Sequence, residues 1–86
     1  MSIHRFVWTD HALQRLDERG LTRFEVEEAI RCGHDGREPN EDGADWLISG
    51  KTQSGISIEA VYDHPHDGDE RVGRIVSVWR LAEEMR

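Results

Sequence analysis

Three side chains at four-residue intervals, His11, Arg15 and Arg19, carry the chemistry most accessible to this sequence. On a helix turning about 100° per residue, with His11 at the origin, Arg15 falls near ~40° and Arg19 near ~80°. Ala12, Leu16 and Leu13 follow as an apolar stripe, and Gln14, Asp17 and Glu18 fill the solvent sector. The three basic groups therefore line one margin of the buried face, where side chains are partly desolvated and held. An imidazole that titrates near neutral pH, beside two guanidinium forks matched to phosphate oxygens, suits the handling of a phosphate group. Cations on one stripe repel one another, so the arrangement calls for an anion. A carboxylate of the chain can supply it, and so can a bound phosphate. The same residues also suit an ordinary surface, with Arg15 and Arg19 lying over the helix margin and pairing with Glu or Asp. His11 is then a hydrogen-bonded histidine without chemistry.

A second group of polar residues gathers in the run Asp63-His64-Pro65-His66-Asp67-Gly68-Asp69-Glu70. Imidazole and carboxylate together can hold zinc or another transition metal. The spacing of His64 and His66 matches no ligand pattern, and Pro65 with Gly68 suits a solvated turn, so neither a metal nor a cofactor is expected. Cys32, beside apolar positions near the end of the second helix, reads as a small hydrophobe rather than a reactive thiol. As the one cysteine of the chain, it cannot close an internal disulfide, which agrees with a reducing compartment. No glycine-rich phosphate loop and no nucleophilic triad is present.

The elements that must position these residues follow from local signals. Residues 3–8 form a strand of bulky side chains, and Thr9 or Asp10 caps a helix that runs to about Arg19, with Gly20 as its left-handed stop. Thr22 and Glu25 make a capping-box pattern, and Leu21 can staple onto Val26. Val26, Ala29 and Ile30 keep helical spacing until Gly33. The polar stretch 34–44 is a loop. Residues 46–51, 56–63 and 74–81 are three strands, joined by a short turn over 51–55 and a longer charged loop over 63–73. The expected fold is α+β with the order β-α-α-β-β-β, two helices packed on a four-stranded antiparallel sheet. Residues 82–86 are expected to form a frayed turn. Trp8, Trp46 and Trp79 are expected in the core, because so small a fold needs their area.

With 86 residues, the chain reads as one domain over 1–86 that buries only about 60–65 % of its unfolded surface. No apolar run exceeds three residues, so neither a membrane span nor a signal peptide is expected, and the reading is a soluble, cytoplasmic protein. The net charge of −7 argues against nucleic acid, whose affinity comes largely from Lys and Arg neutralising phosphates. Its distribution is uneven, however. Residues 1–37 sum to −1, residues 38–70 to −8 and residues 71–86 to +2. Ten of the eleven basic residues are Arg, the cation best suited to bidentate phosphate recognition.

Residues 7–22, Val-Trp-Thr-Asp-His-Ala-Leu-Gln-Arg-Leu-Asp-Glu-Arg-Gly-Leu-Thr, resemble the signature of a bacterial family of domains of unknown function, number 4258. Its members show a strand, then H-A-x-x-R-x-x-x-R-G, then an aliphatic residue and a Thr or Ser that opens the second helix. Residues 25–30 suit that second helix, 46–51 resemble the first hairpin strand, and 76–79 resemble the closing strand. The resemblance covers nearly the whole chain. In architecture the family is similar to the RelE, BrnT and barnase-like small ribonucleases and toxins, which implies RNA cleavage in a toxin–antitoxin setting.

RNA cleavage without metal proceeds by attack of the 2′-hydroxyl on the adjacent phosphorus. It needs a proton acceptor, a proton donor for the leaving 5′-oxygen, and cations for the developing charge. His11 suits proton transfer, Arg15 and Arg19 suit the scissile phosphate, and the family motif selects the same three positions. On the last strand, Arg74, Val76, Val78 and Arg80 are expected to share one face, which adds Arg74 and Arg80 as substrate-binding candidates. Tyr62 joins them as a group that can stack a base or bond a phosphate. The expected function is therefore a small toxin-type ribonuclease, with RNA as substrate and an antitoxin as partner. The competing expectation is a non-catalytic interaction module that docks a basic protein through the acidic region 38–70. A DNA-reading helix-turn-helix is disfavoured, because residues 23–30 are too acidic for a recognition helix.

Overall fold

The computed structural model describes residues 3–41 and 43–81. The frayed turn expected over 82–86 lies outside them. Strand β1 (Arg5–Trp8) leads into helix α1 (Asp10–Glu18), and α2 (Arg23–Gly33) continues as a 3-10 turn, His34–Gly36. Four strands follow, β2 (Glu38–Pro39), β3 (Trp46–Lys51), β4 (Ser57–Asp63) and β5 (Val72–Arg80).

Local chemistry sets both helix starts, and of the two caps open for α1, Thr9 and Asp10, it is Thr9 that serves. Thr9 caps α1 by accepting the Ala12 N–H, and Thr22 and Glu25 form a complete capping box on α2. Between the helices, Gly20 sits at φ 68°, a conformation that only glycine adopts without strain. Leu21 is buried beside Val26, Ala29 and Ile30.

The sheet corrects the expectation. It has five strands in the order β1-β5-β4-β3-β2, and it is mixed rather than antiparallel. β1 runs parallel to β5, with Arg5 opposite Val72 and Trp8 opposite Ile75. The fifth strand is the two-residue β2, which pairs antiparallel with β3 inside the stretch expected to be loop. So short a strand carries no periodicity to read, and Pro39 argues against it except at an edge, where it sits.

Helices cover one face of this sheet. Ala12, Leu16, Val26, Ala29 and Ile30 meet Ile48, Ile58, Ala60, Tyr62, Ile75 and Val78 in one buried cluster. Phe6, Trp8 and Trp46 pack against it, half-buried. Trp79 does not: it pairs with Glu59 on the opposite face, which corrects its expected place in the core. Cys32 is exposed, so its expected burial is corrected too. It lies off the α2 stripe of Val26, Ala29 and Ile30. The close approach of Phe6 to Gly73, where an added Cβ would meet the ring at 3.2 Å, lets β1 lie flat against β5.

Candidate functional site

The α1 stripe is held at both ends by β5. At the start, the Thr9 hydroxyl donates to the Val76 carbonyl at 3.2 Å and the Thr9 N–H donates to the Ile75 carbonyl. At the end, Arg80 Nη1 donates to the Arg19 carbonyl at 3.1 Å. Helix α1 thus lies along the second half of β5, with Ala12 and Leu16 in the core. His11 is exposed at its head, and among the described residues no side-chain hydrogen bond engages its ring. Arg15 and Arg19 keep 35 % and 38 % of their side chains exposed, so both remain open to an anion from solvent.

The anion that the stripe calls for is already on the helix. Glu18 pairs with Arg15, lies 3.8 Å from Arg19 Nη1, and accepts from Gln14 Nε2 at 3.1 Å. Seven residues bring a helix back to within about 20° of its starting direction. Glu18 therefore belongs to the stripe and not to the solvent sector. Its carboxyl is held below the usual carboxylate range by the Gln14 amide and then by Arg15. The guanidiniums are paired with this one carboxylate but not buried.

The three further substrate-binding candidates go to three different places. Arg80 joins the α1 stripe through the Arg19 carbonyl. Arg74 lies on the opposite face of the sheet, where Nη1 donates to Asp63 Oδ2 at 2.9 Å. This corrects the expected sharing of one face by Arg74, Val76, Val78 and Arg80. A bulge separates them: Val61 pairs with Ser77 but Tyr62 pairs with Ile75, which leaves Val76 as the extra residue. Ile75, Val78 and Arg80 then face the helices together, and Arg74 faces away. Tyr62 is fully buried and has no ring face left for a base.

Tyr62 instead organises a cluster that sequence spacing did not reveal. Its hydroxyl lies 2.5 Å from His34 Nδ1, 28 residues away. The His34 ring meets that of His64 edge to face at 4.7 Å between centroids. Arg37 stacks on Trp46 at 4.3 Å and donates from Nη1 to the His34 carbonyl. Burial, and then the nearby Arg37 charge, hold the His34 imidazole below its ordinary value. Burial also pushes the Tyr62 phenol up to about 12. The His64–His66 pair is divided: His64 Nε2 lies 2.7 Å from the Glu70 carbonyl, and His66 Nε2 lies 3.7 Å from Asp67 Oδ2. The sequence carries no local signal for the cluster: His34 opens the polar stretch 34–44, and a 28-residue separation has no periodic signature.

Charge is sorted by the strand order. β1, α1 and β5 are neighbours, and residues 5–19 with 71–80 carry six Arg against three acids. β4, β3 and β2 lie on the other side of β5, and residues 38–63 carry one Lys against six acids. No helix among the described residues is long and apolar enough to cross a membrane.

The chain belongs to the family described as Domain of unknown function (DUF4258), whose model matches residues 8–80. That span takes in the α1 stripe, the His34–Tyr62 cluster and Arg80. No curated protein and no solved structure matches the chain.

Proposed function

We propose that the chain is a small RNA-cleaving enzyme of toxin type, related in activity to RelE-, BrnT- and barnase-like ribonucleases, with its site on α1. The observation that carries the reading is an exposed imidazole, His11, heading a stripe of two half-open guanidiniums on the Arg-bearing side of the sheet. A scissile phosphate displaces the Glu18 carboxylate and takes bidentate bonds from Arg15 and Arg19, with Arg80 adding charge from β5. The RNA 2′-oxygen attacks phosphorus, the bond to the 5′-oxygen breaks, and a 2′,3′-cyclic phosphate and a 5′-hydroxyl form. His11 transfers the proton at one of these two oxygens and solvent water at the other, so the 2′-oxygen loses a proton and the 5′-oxygen gains one.

The test is cleavage of single-stranded RNA by purified protein in the presence of a chelator. Wild type yields cyclic-phosphate ends, and His11→Ala loses at least about 100-fold in rate with an unchanged unfolding midpoint. Equal rates for the two proteins would remove His11 from the reaction.

A second reading has its own observation. Glu38, Glu41 and Glu70 are exposed and form no ion pair among the described residues. This surface suits docking of a basic protein such as an antitoxin. It predicts salt-sensitive binding of a basic peptide that weakens in Glu38→Gln/Glu41→Gln.

A further inference from the structure

Away from α1, a recess of about 410 Å³ opens at the start of β1 and β5, lined by His4, Arg5, Asp69, Arg71 and Val72. Its frame is main chain. The His4 and Arg5 N–H groups both donate to the Arg71 carbonyl, at 2.8 and 3.0 Å. That bond pair holds Arg71, the turn residue just before β5, against the start of β1, where Arg5 pairs with Val72 in parallel register. Asp69 then fixes Arg71. Oδ1 accepts the Arg71 N–H at 2.9 Å and Nε at 3.2 Å, and Oδ2 accepts Nη2 at 3.3 Å. Nη1 is left without a bond among the described residues, and the Arg5 guanidinium has none either. Two guanidiniums and an imidazole thus line the recess against one carboxylate.

We propose that this recess is a second phosphate-binding site, taking a backbone phosphodiester of single-stranded RNA. For the identity of the ligand it rests on the reading of α1 as an RNA site. Its position fits that role. Arg5 and His11 are six residues apart, so at most about 22 Å of chain separates the recess from the head of the stripe. A strand of a few nucleotides that passes the β1 edge reaches both. Asp69 is ionised at neutral pH, held below the usual carboxylate range by the Arg71 guanidinium and then by its N–H. It orients Arg71 at the cost of charge in the recess, so its removal should tighten binding.

Fluorescence anisotropy with a labelled 2′-O-methyl oligoribonucleotide tests this, because that probe binds but is not cleaved. Arg5→Ala/Arg71→Ala is expected to weaken binding roughly five- to tenfold at low salt. It should also lower the salt slope by about 0.7, the share of one single-strand phosphate. Asp69→Asn keeps an oxygen for the Arg71 N–H and is expected to bind severalfold tighter. Wild-type affinity and slope in both variants would overturn the recess, whatever the cleavage assay shows. Recess-dependent binding by a wild type that cleaves nothing would uphold the recess and remove the catalytic reading alone. A wild type that does not bind the probe would overturn the recess.

Discussion

The Arg-bearing side of the molecule and the β3–β4 side are built for different work. On α1, charged groups are paired at the surface, where solvent and ligands reach them: Glu18 touches Arg15 and Arg19 with more than a third of each side chain exposed. At the junction of β3, β4 and the 3-10 turn, polar groups are paired inside. Tyr62 and His34 are both buried and share one hydrogen bond. Surface pairs are worth little to stability and exchange readily with other anions. A buried pair contributes by avoiding an unsatisfied group and exchanges with nothing. Chemistry is therefore expected from the first region and stability from the second.

The largest expected effect lies on the first. Arg15→Ala/Arg19→Ala should lower kcat/KM for RNA by about 100-fold or more, as loss of charge stabilisation at phosphorus implies. Glu38→Gln/Glu41→Gln on the β2 side should change it by less than about threefold. A comparable loss from both double variants, measured in the same buffer, would break the contrast between the sides.

Next in size is the buried pair. Tyr62→Phe leaves His34 without its partner and should cost about 1–3 kcal/mol in urea denaturation, with the RNA cleavage rate little changed. The pH dependence follows from the two shifts. His34 is held low in the folded chain, so below its ordinary value of about 6.5 the unfolded chain takes up a proton that the folded one refuses. Stability is thus full above that pH and falls as pH drops through it, until the folded imidazole itself protonates. Tyr62 is pushed up to about 12, so from about pH 10 upward the unfolded phenol ionises first and stability falls again. In Tyr62→Phe the alkaline fall attributable to this residue should disappear. A variant that keeps it would assign the effect to another group.

The smallest effect tests how the α1 stripe is kept ready. Glu18→Gln removes the anion that Arg15 and Arg19 now share. Binding of a non-cleavable RNA should tighten about two- to threefold at low salt, and the gain should shrink as salt screens the exposed charges. Weaker binding would mean that Glu18 positions the guanidiniums rather than competing for them.

What the sequence disclosed depended on how far each signal reaches. The caps at Thr9 and Thr22, the turn at Gly20 and the stripe of His11, Arg15 and Arg19 are all settled within a few residues, and all were legible. Glu18 was misplaced on the wheel although its spacing to His11 is just as local. The parallel pairing of β1 with β5 joins residues 67 positions apart, and nothing in either segment specifies its direction. Period-two reading put Arg74 and Arg80 together because it assumes an unbroken strand. One extra residue at Val76 was enough to place them on opposite faces. The charge runs were visible in the sequence, but only the strand order converts them into two sides of one sheet.

The proposed activity rests on that separation, with His11 at the head of the Arg-bearing side. Titrating isotope-labelled protein with a non-cleavable RNA oligonucleotide and following its amide and imidazole resonances tests it directly. Shifts are expected at His11, Arg15, Arg19 and Arg80, and at Arg5 and Arg71 of the recess, with residues 38–63 unmoved. Shifts confined to residues 38–63, or none at His11 at saturating RNA, would contradict it.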